Sequence, residues 1–205
     1  GEHFTYNISG NVSYNKNKVE SLGPNFNFVL TGNDGVNRTV AGEPIGYFYG
    51  YRQIGIFQTV SQIEDMASLP GTKPGDIAYA DLNKDGQITP DGDRENLGNP
   101  FPTWNYGLNI SLGYKGVDLS LQGQGVADNY IFTERRTATF ATINYETNRL
   151  YAWTHAGSSN VEPILDNSRP NNYIFSTYYL EPGDYFRLRT VQLGYNLSNQ
   201  VLQKT

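Results

Sequence analysis

Four stretches of this chain alternate apolar and polar residues. From Phe4 the apolar or small positions are Phe4, Tyr6, Ile8, Gly10, Val12 and Tyr14, with Thr5, Asn7, Ser9, Asn11 and Ser13 between them. A period of two marks a strand whose two faces meet different surroundings, because successive side chains point to opposite sides of the pleat. Trp104–Tyr114 repeats the pattern. Lys115-Gly116 then predicts a tight turn into Val117, Leu119 and Leu121, alternating with Asp118, Ser120 and Gln122, so the two stretches form a hairpin. In Tyr185–Leu197, Phe186 and Leu188 keep one parity, while Val191, Leu193, Tyr195 and Leu197 keep the other. A switch of parity near Arg189-Thr190 needs one extra residue, which predicts a β-bulge. Strands are expected at about 3–15, 104–114, 117–125 and 185–197.

The connections between these strands run long (about 16–103), short (115–116) and long (about 126–184). Inside the first, 45–57 is rich in glycine and aromatic residues and reads as bent, extended backbone. Ser61-Gln62-Ile63-Glu64 reads as a capping box opening a short helix to about Leu69, stopped by Pro70-Gly71. Inside the second, Phe140, Ile143, Leu150 and Trp153 have near-helical spacing and predict a short helix. Loops this long are unusual in a compact soluble domain. Outer-membrane barrels, by contrast, pair short turns on one side with long loops on the other. Eleven residues from Phe4 reach roughly 36 Å at about 3.3 Å each, enough to cross a hydrocarbon layer at a tilt of ~45°. Aromatic residues stand at both ends of that strand (Phe4 and Tyr6, then Tyr14), as barrel girdles require. The expected fold class is all-β: antiparallel strands of part of a transmembrane β-barrel, with long extracellular loops that carry short helices.

Composition narrows the choice of partner. The chain has 20 acids against 15 Lys and Arg, a net charge of -5, which argues against nucleic acid, whose binding needs a basic face. Glycine (22), Tyr (16) and Phe (10) suit strands and turns. Cysteine is absent, so no disulfide or thiol chemistry is available. No apolar run reaches the ~18 residues of a membrane-spanning helix, a test that leaves spanning strands untouched.

The candidate chemistry is mostly oxygen. Asp81, Asn83 and Asp85 alternate, Gly86 follows, then Gln87, and Asp91 and Asp93 close the segment. That is the order of ligands in a calcium loop, with side-chain donors at the first, third and fifth places and a backbone carbonyl after the glycine. The plainer reading is an Asx-rich turn whose side chains bond their own backbone. Counted from Asp81, the twelfth place is Gly92, which offers no side-chain oxygen, so Asp93 would have to reach the ion. Asp76–Ala80 looks extended, which excludes a helix–loop–helix sensor and gives a bound ion a structural role. Tyr47, Tyr49, Tyr51 and Trp153 are candidate ligand-stacking residues, with Tyr178 and Tyr179 beside them. Their plainer role is loop packing and interfacial anchoring. Catalysis finds little support. The two histidines, His3 and His155, sit near no GxSxG or HExxH pattern. Glu43, Glu162 and Glu181 lie in loops with nothing fixing a partner for them. Arg135-Arg136 reads as a solvated loop face.

Four blocks in this order resemble a known family: NVSYNKNKV (11–19), GEPIGYFYGYRQIGIFQ (42–58), PGDIAYADLNKDGQITPDGDRENLGNPFPTWNYGLN (74–109) and LEPGDYFRLRTVQLGYNLS (180–198). The chain resembles the C-terminal barrel portion of SusC/RagA-type TonB-linked outer-membrane proteins over nearly its whole length. The resemblance implies a plugged β-barrel in the outer membrane, its loops facing the exterior, that imports oligosaccharides or, in some members, peptides. It implies a SusD-like lipoprotein over the outer mouth, contact with membrane lipid, and energy from TonB through a region outside this chain. The plug and the remaining strands are likewise expected outside it. Members with the acidic loop usually carry two adjacent acids where this chain has Asp91-Gly92-Asp93. The alternative from another class is a soluble, calcium-stabilised β-module for carbohydrate binding or adhesion. It requires the Tyr6, Ile8, Val12 and Leu108, Ile110, Leu112 faces to pack in a dry core. A hydrolase would require an acid pair about 5–10 Å apart in a cleft.

Overall fold

The computed structural model describes residues 4–32, 35–133 and 146–196. In chain order the strands are β1 (Thr5–Tyr14), β2 (Val29–Thr31), β3 (Asn37–Thr39), β4 (Tyr47–Tyr51), β5 (Gln53–Ile56) and β6 (Ile77–Tyr79). There follow β7 (Arg94–Gly98), β8 (Trp104–Tyr114), β9 (Val117–Ala127), β10 (Tyr130–Phe132), β11 (Leu180–Pro182) and β12 (Tyr185–Tyr195). A single α-helix among the described residues, α1, spans Val60–Asp65. The chain divides into two compact units, one made of 1–16, 101–130 and 182–205, the other of 17–100 and 131–181.

The first unit is a four-stranded antiparallel sheet in the order β1-β8-β9-β12. Its register lines up the apolar positions in rows across all four strands. Ile8, Ile110, Leu121 and Val191 make one row, and Tyr6, Leu112, Leu119 and Leu193 the next. Aromatic residues bracket these rows: Tyr14 packs on Trp104 at 4.6 Å and Tyr106 stacks on Phe186 at 6.1 Å at one end, with Tyr114 and Tyr195 at the other. This apolar face is exposed, Tyr6, Val12 and Leu193 at 70%, 68% and 73%. The dry core that the soluble-module alternative requires of Tyr6, Ile8, Val12 and Leu108 is therefore not there, since all four are exposed side by side on one face.

Three local devices hold the register. Lys115 and Gly116 both have positive φ (49° and 82°), the two-residue turn geometry whose twist matches the flanking strands. Between Leu188 and Thr190 the β12–β9 pairing slips by one residue. That bulge lets Leu188 and Val191, three apart, share the apolar face, which is why the parity of the sequence switches there. Finally, Gly123 and Gly125 make room for rings: a Cβ on Gly123 would meet the Phe186 ring, and one on Gly125 would meet Tyr106 and the Tyr185 carbonyl. Aromatic cover of strand glycines pins register in curved sheets. Gly125→Val is expected to lower the stability of the folded protein by about 1–3 kcal/mol through overpacking, read as a lower denaturant midpoint. An unchanged midpoint would mean that ring and backbone yield without cost.

The second unit corrects the expectation of irregular loops. It holds a sheet in the order β2-β3-β4-β7 and a two-stranded pair β5-β6, and β10 pairs with β11. Strands of three to five residues give too few alternations for a period of two to register, and here both faces are often buried. Its core joins Tyr51, Ile56, Ile77, Tyr79, Ile88, Tyr178 and Tyr179, with Phe57 2% exposed beside them. The expected helix exists but starts earlier and stops sooner. Thr59 is its N-cap, accepting from the Gln62 amide, and the Gln62 side chain accepts from Gln58 N–H. Ser61, the expected cap, instead donates to Asp65, and the helix ends there, before Pro70-Gly71. Of the second expected helix, Thr147–Tyr151 is a 3-10 turn; Phe140, Ile143 and Arg135-Arg136 lie outside the described residues.

Candidate functional site

The face of the four-stranded sheet opposite its apolar rows is almost entirely amide, hydroxyl and glycine. Its rows read Asn7, Ser111, Ser120, Gln192, then Ser9, Asn109, Gln122, Thr190, then Asn11, Gly107, Gln124, Arg187. Near the Trp104 end of the sheet this face forms a concavity of about 400 Å³ lined by Asn11, Asn105, Asn109, Gln122, Gln124 and Arg189, among others. Arg189 is the residue skipped in the pairing. The bulge turns its side chain to the polar face, where Nη1 donates to Gln124 Oε1 at 3.1 Å. Arg187 stands in the same row as Gln124, its guanidinium 5.4 Å from the Tyr185 ring. A wall with one dry face and one hydrogen-bonding face can line a water-filled passage and hold a polar solute by its hydroxyl groups.

The acidic loop folds onto its own backbone. Asp81 accepts from the amides of Lys84 (2.6 Å) and Gly86 (2.9 Å). Asp85 accepts from Gln87 N–H at 2.8 Å and from the Asn83 side-chain amide at 2.8 Å. The chain reverses through Lys84 and Gly86, at φ 60° and 81°. Asp81, Asn83 and Asp85 are therefore brought together. Asp93 turns inward, wholly buried, and accepts from Leu82 N–H and Thr89 N–H at 2.8 and 2.6 Å. Among the described residues no group of three or more His, Cys, Asp or Glu side chains gathers into a metal-holding cluster. The residues at Asp81, Asn83 and Asp85 fit a hard cation in type and order; the closing acid is committed to the backbone. As expected, a strand (β6) and no helix precedes Asp81.

The aromatic candidates divide by burial. Tyr47 and Tyr51 are 3% and 4% exposed, and Tyr51 packs on Tyr79 at 5.2 Å. Tyr49 lies between two guanidiniums, Arg38 at 4.3 Å and Arg94 at 4.9 Å from its ring centre. Trp153 packs against the core and donates its indole N–H to Gln58 at 3.0 Å. Burial raises the Tyr47 and Tyr51 phenols above their ordinary 10.0, and raises Tyr79 well above it. A raised phenol is held neutral by the fold, so its stabilisation is complete below pH 10.0 and is lost as pH climbs towards the folded value. The second unit is expected to loosen above that pH, with Tyr79 ionising only as the unit opens. Tyrosinate absorbance rising in one step with loss of near-ultraviolet dichroism checks this; free titration of all tyrosines at 10.0 would overturn it.

Two buried polar networks escaped sequence reasoning. Asp76, 1% exposed, accepts from Arg169 at 2.9 Å, Asn172 at 3.0 Å and Lys73 N–H at 2.8 Å. Glu162, expected to lack a fixed partner, is instead held by Arg149 at 3.2 Å, Tyr178 at 2.7 Å and Asn148 at 3.1 Å; Arg149 also donates to the Tyr178 hydroxyl. Side-chain partners 13 to 96 residues apart leave no local pattern. Arg189 did leave a signal, the parity switch, although nothing in the sequence says which way the extra side chain points.

No family model matches the chain. TonB-dependent receptor P3 of Formosa agariphila is 31% identical over 217 residues, covering 100% of this chain and 21% of that protein. TonB-dependent receptor SusC of Bacteroides thetaiotaomicron is 25% identical over 208 residues, covering 96% of this chain and 19% of that protein. The chain thus spans about a fifth of the length of these curated relatives. Among solved structures it matches the RagAB peptide transporter with a TM-score of 0.73 at 19% identity, over 98% of this chain and 22% of that one. The fold is accordingly part of a barrel, and the likeness in sequence runs the whole length of the chain. Over its whole length the chain is similar to a segment of TonB-dependent receptors, SusC among them, and its fold is that of part of a β-barrel.

Proposed function

We propose that this chain is a section of wall and external loop in an outer-membrane importer of oligosaccharides or peptides. The observation that carries this reading is the register of the four-stranded sheet. Every row that is apolar on one face is flanked by rows that are polar on the other, and the apolar face is exposed. Exposed apolar rows between aromatic ends suit lipid, while an amide face suits a wet lumen. The barrel transfers no chemical bond; it binds a solute, gates and releases it. TonB supplies the energy through a segment elsewhere in the protein, and a SusD-like lipoprotein closes the outer mouth over loops that face the exterior. The solved structure named for peptide transport supports peptides, and the amide-rich polar face supports oligosaccharides.

The test is labelling of the full-length receptor in membranes by a hydrophobic photoprobe, read by mass spectrometry. Labels are expected on Ile8, Val12, Leu108, Ile110, Leu119 and Leu193, sparing Asn7, Asn109 and Ser120. Unlabelled strands would sink the importer reading.

For the acidic loop the proposal is a structural calcium ion held by Asp81, Asn83, Asp85 and the Gln87 carbonyl, with Asp91 or Asp93 closing the shell. The order of the oxygens supports it, and hard cations take such all-oxygen sets. Asp93 would have to leave its backbone partners, so weak binding is expected. Calcium at millimolar concentration should raise the melting temperature of the full-length receptor, and a chelator should reverse the rise. Asp81→Asn should abolish it. No calcium-dependent shift would leave the loop as a self-bonded turn.

A further inference from the structure

The polar face of the wall carries two cations that nothing in the described structure neutralises. Arg189 lines the concavity from β12, Arg187 stands beside it in the row of Gln124, and among the described residues neither makes an ion pair with a carboxylate. Arg189 spends one N–H on the Gln124 amide oxygen, a neutral acceptor that fixes the guanidinium and leaves other donors of its fork free. At the Trp104 end the described acids are Asp128 and Asp184, the latter accepting from the Asp128 and Asn129 amides; at the other end is Asp118, in the row of Gly113 and Gly194 beside the Lys115-Gly116 turn. It lies six positions along β9 from Gln124, about 20 Å at ~3.3 Å per residue. In a chain of net charge -5, a local pair of unneutralised cations is a departure from the average surface.

The bulge makes this pair. In an unbroken strand, Arg187 and Arg189 would share a face with residues 191 and 193, which here are apolar. Skipping Arg189 in the ladder keeps Val191 and Leu193 on the apolar face and sends both guanidiniums to the polar one. Bulges persist where they re-aim a side chain. The remaining lining is amide: Asn11, Asn105, Asn109, Gln122 and Gln124. Each amide both donates and accepts, which matches the paired donor and acceptor of a sugar hydroxyl, and Tyr185 lines the same concavity. Neutral sugar needs no guanidinium, whereas a carboxylate takes Arg in a forked, charge-assisted contact.

We infer that this concavity is a subsite for an acidic oligosaccharide, in which Arg189, flanked by Arg187, receives the carboxylate of a uronate residue while the amides take its hydroxyls. The inference rests on the reading of the polar face as the lumen of an importer.

The experiment uses the full-length receptor in detergent micelles, with tetragalacturonate as the probe and its methyl ester as the same shape without charge. The unaltered receptor is expected to bind the free acid more tightly than the ester, with affinity falling as salt rises. Arg189→Gln should weaken binding of the acid about tenfold or more, the worth of one charge-assisted contact, and leave the ester unchanged. Equal affinity of the variant for the acid, or no binding of the acid by the unaltered receptor, would overturn the subsite. So would Arg189-dependent binding of triglutamate with no binding of tetragalacturonate, which would assign the cations to a peptide. A parallel arm keeps the underlying reading separate. Gln122→Cys should react with a water-soluble maleimide in intact membranes while Leu121→Cys does not. The reverse would remove the lumen itself, whereas the expected labelling with an unaffected Arg189→Gln would remove only the subsite.

Discussion

Arg149→Met is expected to destabilise the second unit by about 3–5 kcal/mol, the usual cost of stranding one partner of a buried ion pair. The side chains of Arg149 and Glu162 are 9% and 10% exposed, so the carboxylate left behind cannot be rescued by bulk water. Tyr178 and Asn148 would still donate to it, but neither carries charge. Glu162→Gln should cost less, because the amide keeps an oxygen for Tyr178. The double variant Arg149→Met/Glu162→Leu should recover much of the loss, since a buried pair replaced as a whole by apolar groups is often nearly neutral. Hydrogen exchange of the Trp153 amide, which bonds the Glu162 carbonyl at 3.0 Å, reads the effect locally. Additive losses in the double variant would show that the two residues act separately.

A second large effect is expected from charge on the dry face of the wall. Val191, in the central row with Ile8, Ile110 and Leu121, is 62% exposed. In lipid, Val191→Arg should cost about 2–4 kcal/mol, the penalty for a cation near the bilayer midplane. Its neighbour Gln192 pairs with Ser120 on the opposite face, so Gln192→Arg should be nearly silent. Urea unfolding of the receptor refolded in vesicles compares the two. The asymmetry is the point: similar costs at both positions would mean that the two faces meet similar surroundings. A soluble sheet would show a far smaller penalty at Val191, where the arginine would stand in water.

Much of the wall was legible because strand and face both write the same period of two. Tyr6, Ile8 and Val12 announce a face by their spacing alone, and Lys115-Gly116 announces its turn because a two-residue hairpin demands positive φ. Even the bulge left a trace, since a parity switch between Leu188 and Val191 has few other causes. The second unit was far less legible. Its strands are short, and its core is assembled from Tyr51, Ile77 and Tyr179, which no local period connects. The cap of α1 was misplaced by two residues because Thr59 and Ser61 are equally competent acceptors; the packing of Gln58 and Gln62 around the helix start decided between them.

The sequence by itself determined which residues alternate, where the chain turns and what donors the acidic loop offers, because those depend on neighbours in the chain. It also placed the chain among its relatives. Tertiary structure alone decided that Tyr47 and Tyr51 are buried, that Glu162 is paired with Arg149, that Asp93 faces inward and that Arg189 joins Arg187 on the polar face. Each of those outcomes depends on residues distant in sequence but brought close by folding. Burial and electrostatics act through space, and a one-dimensional pattern carries no record of distance.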